Sequence, residues 1–201
     1  MPKIGIIILA AGESRRMGSP KQILPIEGKA LLRRTTEIAL ATHCEPVVLV
    51  LGANKPQIAP EIIDLPLTII DNPMWHQGLS SSVKMGMAGL WITTKDIDAV
   101  MILVCDQPHL SVDILNKMIE VYKTKKPKLV GCRYGDEVGV PVLFDKILFG
   151  ELLNLTGEKG AKPILINHLD EAHIVDFEKG EIDLDTPEDY QKWRDSRLQS
   201  S

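Results

Sequence analysis

The sequence predicts an α/β domain with a mostly parallel sheet covered by helices on both faces. Three observations point there: short apolar runs at Ile4–Ala10, Val47–Leu51, 67–70 and 99–105, segments of helical periodicity between them, and no long polar linker within 201 residues. Uninterrupted apolar strands suit a sheet buried on both faces, which is how parallel sheets occur. A chain of this length can bury a full core, so residues 1–201 are expected to form one domain.

The elements follow in order. Within the helical segment 29–42, Leu31, Leu32, Thr35, Ile38 and Ala39 share a face, while Arg33, Arg34 and Glu37 turn to solvent. Segments 56–62 and 80–91 are the next helical connections, and 111–122 a further helix. Residues 128–132 resume a strand, and 138–143 form another, provided that Pro141 lies where the ladder needs no donor. Segments 144–153 and 159–169 are expected to be helical, packed beside the sheet. A last helix should begin after Asp185 and run toward Arg194, with Thr186 as cap, Pro187 in the first turn, and the Asp189 carboxylate facing exposed N–H donors.

Composition excludes several classes of function. Lys and Arg number 23 against 27 Asp and Glu, a formal charge of -4, so no global positive field draws in nucleic acid. Ile4–Ala10 is too short to span a membrane, and the Met-Pro-Lys start lacks the apolar region and cleavage site of a secretory signal. Cys44, Cys105 and Cys132 are too few and too scattered for a disulfide framework or a thiolate metal site. A cytoplasmic protein without membrane or nucleic-acid partners is expected.

The most informative stretch is Leu9-Ala10-Ala11-Gly12-Glu13-Ser14-Arg15-Arg16-Met17-Gly18-Ser19-Pro20-Lys21. A buried strand emptying into small residues and three cations offers backbone N–H groups and positive charge to an anion, most readily the phosphates of a nucleotide. Its spacing matches neither the Walker loop nor the dinucleotide fingerprint, which disfavours an ordinary ATPase or dehydrogenase. Arg16 and Lys21 are the phosphate candidates, and Arg15 is left either to phosphate or to water. The competing view is a mobile basic surface loop.

Val104-Cys105-Asp106-Gln107-Pro108 places a carboxylate just past a buried strand, where open α/β sheets hold ligands. Asp106 is suited to Mg²⁺ against phosphates, or to capping a turn. Asp183-Leu184-Asp185 puts two further carboxylates on one side if extended, to complete a metal site or merely to precede the helix. Residues 72–83 carry amide, hydroxyl and backbone groups able to read a base or ribose, with Trp75 packed beneath. His76 has no carboxylate nearby in sequence to orient it, and His43, His109, His168 and His173 show no metal-ligand spacing. Gly157-Glu158-Lys159-Gly160-Ala161-Lys162 is a second polar turn, whose Lys162 either neutralises an anionic acceptor or caps a surface helix.

Together these motifs resemble the cytidylyltransferase branch of the molybdenum-cofactor nucleotidyltransferases, from Leu9 through Asp189. The resemblance rests on Leu-Ala-Ala-Gly-x-Ser-x-Arg-Met-Gly-x-x-Lys, then Asp106-Gln107-Pro108, then Asp183-Leu184-Asp185-Thr186-Pro187-Glu188-Asp189, in the family's order. It implies a three-layer α/β/α Rossmann-like nucleotidyltransferase fold, with Mg²⁺ as cofactor, CTP as donor and molybdopterin cofactor as acceptor. It also implies nucleotide contacts from Leu9, Ala10, Ala11 and the Gly12 to Gly18 backbone, with Arg16, Lys21 and Asp106 as catalytic groups. Metal would fall to Asp106 with Asp183 or Asp185 and the base side to Ser82; Gly139 beside the acceptor-side departure, and Lys162 from its own polar turn, are the candidates for the acceptor. Ala10-Ala11 resembles the CTP-using branch more than the GTP-using one. One departure stands at Val140, where relatives carry histidine, and it weakens transfer of the pterin specificity. The alternatives are a cytidylyltransferase for a sugar or polyol phosphate, a guanylyltransferase, and a non-catalytic chaperone for the cofactor. Transient contact with a recipient molybdoenzyme or its maturation factor is the protein partner implied.

Overall fold

The computed structural model describes residues 1–198. Its elements are β1 (Ile4–Ala10), β2 (Pro25–Ile26), β3 (Lys29–Ala30), α1 (Leu31–Leu40), β4 (Val47–Leu51), α2 (Lys55–Ile58), β5 (Thr68–Asp71), α3 (Leu79–Thr93) and β6 (Ala99–Val104). They continue with α4 (Val112–Lys125), β7 (Leu129–Tyr134), β8 (Glu137–Asp145), α5 (Phe149–Leu153), α6 (Lys162–Asn167), β9 (Ala172–Asp176) and α7 (Pro187–Leu198).

Seven strands form the main sheet in the order β5-β4-β1-β6-β8-β7-β9, with β2 and β3 as a separate small hairpin. The pairings make β8 the one reversed strand, since β6 and β7 both run antiparallel to it. The reversal follows from the short turn after β7, where Gly135 supplies a φ of 57°. Its register with β7 shifts between Val130 and Cys132, and Pro141 falls in that irregularity. A residue with no N–H is tolerated at such a point, as the sequence required.

Alternation along β1 builds two cores. Ile6 and Ile8 face one side with Leu49, Met101, Leu32 and Met118. Ile7 and Leu9 face the other with Val50, Ile102, Val83 and Met87. Every residue of β1 is buried, so the strand is held on both faces and its end is a rigid mount for the loop that follows. Helix α3 lies close against the sheet because Gly86 has no side chain: a Cβ there would stand 2.4 Å from Ile7 Cγ2.

Several boundaries differ from the sequence expectation. Segment 144–153 is not one helix, because β8 runs through Phe144, fully buried between Val100 and Leu129, before a 3₁₀ turn and α5. Residues 29–30 pair with 25–26 before α1 begins. Segment 56–62 is split into α2 and a 3₁₀ turn, Ala59–Glu61, with Pro60 at the junction. Only Lys162–Asn167 of segment 159–169 is α-helical, since Gly160 takes a φ of 53°. On α1, Thr36 joins the buried face and Ile38 stays partly exposed. Arg33 grips both Asp64 oxygens at 2.8 Å, and Arg34 donates to Leu110 O at 3.1 Å, so these arginines tie surface segments together.

The α7 cap is a reciprocal box. Asp189 N donates to Thr186 Oγ1 at 3.2 Å, and Thr186 N donates to Asp189 Oδ2 at 3.0 Å. This cap fixes where the chain leaves the Asp183–Asp185 segment.

Candidate active site

Strands β1 and β6 are parallel neighbours with Leu9 opposite Val104, so the loops after them leave the sheet side by side. The first loop is folded around Gln22, which is 1% exposed. Gln22 Nε2 donates to Ala10 O at 3.1 Å and Gly12 O at 3.0 Å, and its Oε1 accepts from Ser14 Oγ at 3.2 Å. Lys21 N donates to Ser14 Oγ at 3.1 Å, closing the loop on itself. Ser14 and Gly18 take positive φ values of 59° and 74°. Among the described residues, the N–H groups of Gly12, Glu13 and Ser14 donate to no protein acceptor, so they are open to an anion.

Gln22 was not among the residues singled out from sequence. Its signal was available: a polar amide between Lys21 and Ile23, at the inner end of a loop whose carbonyls need donors. Gln22→Ala is expected to lower unfolding free energy by about 1–2 kcal/mol, because two buried carbonyls lose their donor. Urea unfolding checks it. Gln22→Glu should be worse, since a carboxylate cannot donate to Ala10 and Gly12.

Charges converge opposite this loop. Lys21 Nζ stands 2.6 Å from Asp106 Oδ2 and 2.7 Å from Asp185 Oδ1, and Arg16 Nη2 stands 2.7 Å from Asp185 Oδ2. Leu184 N donates to Asp106 O at 3.0 Å, pinning the late acidic segment to the end of β6. Buried Gln107 holds the same junction, its Nε2 donating to Val140 O at 3.1 Å and Gly180 O at 2.8 Å. Burial disfavours the Lys21 ammonium, yet Asp106 and Asp185 outweigh it and raise its pKa. Burial likewise opposes ionisation of Asp185, but Lys21 and Arg16 prevail and hold its carboxyl low.

Among the described residues Asp183 has no hydrogen-bond or ion-pair partner, and its side is open to solvent. Desolvation and the charges of Asp106 and Asp185 push its pKa up to about 7. A carboxyl raised in the folded state contributes its stability below the unfolded value and loses it as pH rises through the folded one. Between roughly pH 4 and 7 the protein therefore loses stability through Asp183. Asp183→Asn removes that loss and is expected to be more stable above pH 7 by about 1 kcal/mol, a figure reduced for the open side of Asp183. The gain should vanish toward pH 4, as thermal unfolding across pH will register.

A cleft of about 450 Å³ opens beside Lys21, lined by Gly12, Arg16, Lys21, Trp75, Ser82 and Glu158 among others, while Asp106 and Asp183 lie outside its lining. Ala11 and Asp185 also line it. Ser82 Oγ accepts from Asn72 Nδ2 at 2.9 Å, which orients the start of α3. Trp75 packs edge-on to His76, ring centres 6.0 Å apart, and both border the cleft. Arg15 is exposed and paired with Glu13 at 2.6 Å. Leu9 and Ala10 are buried at the end of β1, behind the cleft.

Gly139 and Lys162 are not brought into that lining. Lys162 pairs with Glu137 at 3.2 Å, and Gly139 leaves space for Tyr134, whose Oη would stand 1.9 Å from an added Cβ. Glu158, which the sequence reading passed over in favour of Lys162, does line the cleft.

Among the described residues Asp106 Oδ1 is a buried acceptor without a hydrogen-bond partner. Among the described residues no group of three or more His, Cys, Asp or Glu side chains is placed to hold a metal ion, and Lys21 bridges Asp106 and Asp185. No described helix is long and apolar enough to cross a membrane.

An open, mostly parallel sheet with a cationic loop after its first strand, facing carboxylates at the next strand end, defines a nucleotidyltransferase of Rossmann-like fold. The sequence model of the MobA-like NTP transferase domain matches residues 6–172, and the chain belongs to this family. It is 28% identical over 193 residues to the molybdenum cofactor cytidylyltransferase of Escherichia coli K12, covering 94% of this chain and 95% of that protein. Against the molybdenum cofactor guanylyltransferase of Syntrophotalea carbinolica, identity is 24% over 198 residues, covering 94% and 89%. The nicotine blue oxidoreductase of Paenarthrobacter nicotinovorans is 33% identical over 120 residues, which span 59% of this chain and 57% of that protein. The crystal structure of Rv0371c from Mycobacterium tuberculosis H37Rv superposes with a TM-score of 0.83 at 25% identity, covering 96% of this chain and 98% of that one.

Proposed function

We propose that this protein transfers CMP from CTP to the terminal phosphate of molybdopterin cofactor, releasing pyrophosphate. The observation that carries the reading is Lys21 held between Asp106 and Asp185 beside the open N–H groups of the first loop. Such a constellation meets a triphosphate with cations and donors, and its metal ion with carboxylates. Similarity to a molybdenum cofactor cytidylyltransferase over nearly the whole chain supports the acceptor. Ala11, which lines the cleft where the GTP-using branch has glycine, supports CTP.

The donor's β- and γ-phosphates lie against the N–H groups of residues 12–14, Arg16 and Lys21. An oxygen of the acceptor phosphate attacks the α-phosphorus, the α–β anhydride bond breaks, and pyrophosphate leaves with the electron pair. The nucleophile is already anionic near neutral pH, so no general base is required, and positioning with charge compensation dominates. Asp106, through its unpartnered Oδ1, together with Asp183 or Asp185 would hold Mg²⁺. When bound, that ion supplies neutralisation of the triphosphate and of the departing pyrophosphate. Ser82, Trp75 and the segment around them form the base side.

The test is pyrophosphate release by the purified protein from CTP and Mg²⁺, with molybdenum-loaded pterin as acceptor and with GTP and a panel of sugar and polyol phosphates as competitors. Turnover with CTP and pterin is the expected result. Turnover only with GTP would overturn the donor, and turnover only with a polyol or sugar phosphate would overturn the acceptor. Cofactor binding without nucleotide consumption would favour a chaperone instead.

A further inference from the structure

The polar turn at residues 157–162 has no role in the mechanism above, yet it is built into the cleft. Three contacts lay it over the start of α3. Ser80 N donates to Gly157 O at 3.2 Å. Gly78, at a φ of 95°, has no room for a Cβ, which would stand 2.7 Å from Gly157 O and 2.9 Å from Glu158 Cδ. Gly160 is equally tight against Leu79, with an added Cβ 2.6 Å from Leu79 Cδ2. The turn and the base-side residues therefore form one packed unit, and Glu158 is its carboxylate.

Glu158 makes no direct hydrogen bond or ion pair among the described residues; Arg15, whose contact partner is Glu13, is the cation that also feels its charge. An ionised carboxylate only accepts hydrogen bonds, so it welcomes an amino group and repels a carbonyl oxygen. Cytosine presents an N4 amino donor where uracil presents the O4 acceptor.

We infer that Glu158 is the base-reading residue of this cleft, accepting a hydrogen bond from the exocyclic amine of the donor's cytosine and thereby rejecting UTP. The inference rests on the reading of the cleft as a CTP site, and it adds a selector from the second half of the chain to the contacts around Ser82. A site built around one acceptor discriminates strongly against a ligand that brings another acceptor to it, because neither group finds a partner.

Calorimetric titration with CTP and with UTP, each with Mg²⁺, separates the two questions. In the unaltered protein CTP should bind at least roughly tenfold more tightly than UTP. Glu158→Gln, whose side-chain amide both donates and accepts, should weaken CTP several-fold and bring the CTP to UTP ratio close to one. Glu158→Ala should also abolish the preference. A simple loss of structure would weaken both nucleotides alike and leave the ratio intact. An unchanged ratio in Glu158→Gln, or equal affinities in the unaltered protein, overturns the assignment while leaving a nucleotide site in place. Binding of neither nucleotide overturns the functional reading and this inference with it.

Discussion

Asp106→Ala is expected to lower kcat for nucleotidyl transfer by roughly a thousandfold, with the fold retained. Among the described residues the side chain supplies a buried carboxylate oxygen that no protein group satisfies, so its loss removes an anchor that Asp183 and Asp185 cannot replace from their own segment. The structural work at this position is done by the backbone: Asp106 O accepts from Leu184 N at 3.0 Å and is untouched by the substitution. Lys21 also keeps Asp185 at 2.7 Å. Steady-state pyrophosphate release across a Mg²⁺ titration checks the prediction, together with circular dichroism to confirm folding. Near-normal turnover in a folded variant would remove Asp106 from the mechanism.

Lys21→Ala should reduce kcat/KM for CTP by about two to three orders of magnitude, and it should also destabilise the protein. The two effects share one cause. Lys21 is the cation between Asp106 and Asp185, and without it two carboxylates face one another across a space that desolvates both. The pair is only partly buried, so the cost lies between that of a surface ion pair and a fully buried one, about 2 kcal/mol near neutral pH. The pH dependence has a defined sign. Lys21 and Arg16 hold Asp185 low, so their stabilisation is present above the ordinary carboxylate range and is lost as pH falls through the folded value. The deficit of Lys21→Ala relative to the unaltered protein should therefore be greatest near pH 7 and shrink below about pH 4. Urea unfolding at several pH values will show this, and Mg²⁺ with CTP should restore part of the lost stability by occupying the gap.

Legibility of the site in the sequence depended on whether a residue acts through its position along one strand or through a partner elsewhere. The apolar run Ile4–Ala10, the small residues after it, and Asp106 just past β6 were readable, because a buried strand announces itself and ligands gather beyond its carboxyl end. The Thr186 and Asp189 cap was readable for the same local reason. Gln22 and Glu158 were not. The first matters because its amide reaches two carbonyls of its own loop, the second because a glycine contact with Gly78 brings it across from another part of the fold. Gly139 and Lys162 show the converse: the motif around them was noticed, but tertiary packing turned one toward Tyr134 and the other toward Glu137.

Sequence alone determined the layered architecture, the cationic loop after the first strand and the acids that are candidates for the site, with Asp183 and Asp185 left unresolved, since apolar periodicity and cap chemistry are properties of neighbours along the chain. Only the tertiary structure decided that Lys21 stands between Asp106 and Asp185, 85 and 164 residues away, that β8 runs against its neighbours, and that Glu158 shares a cleft with Ser82. The physical reason is that ion pairs and cleft walls are set by where separate strand ends meet in space, and spacing along the chain carries no measure of that distance.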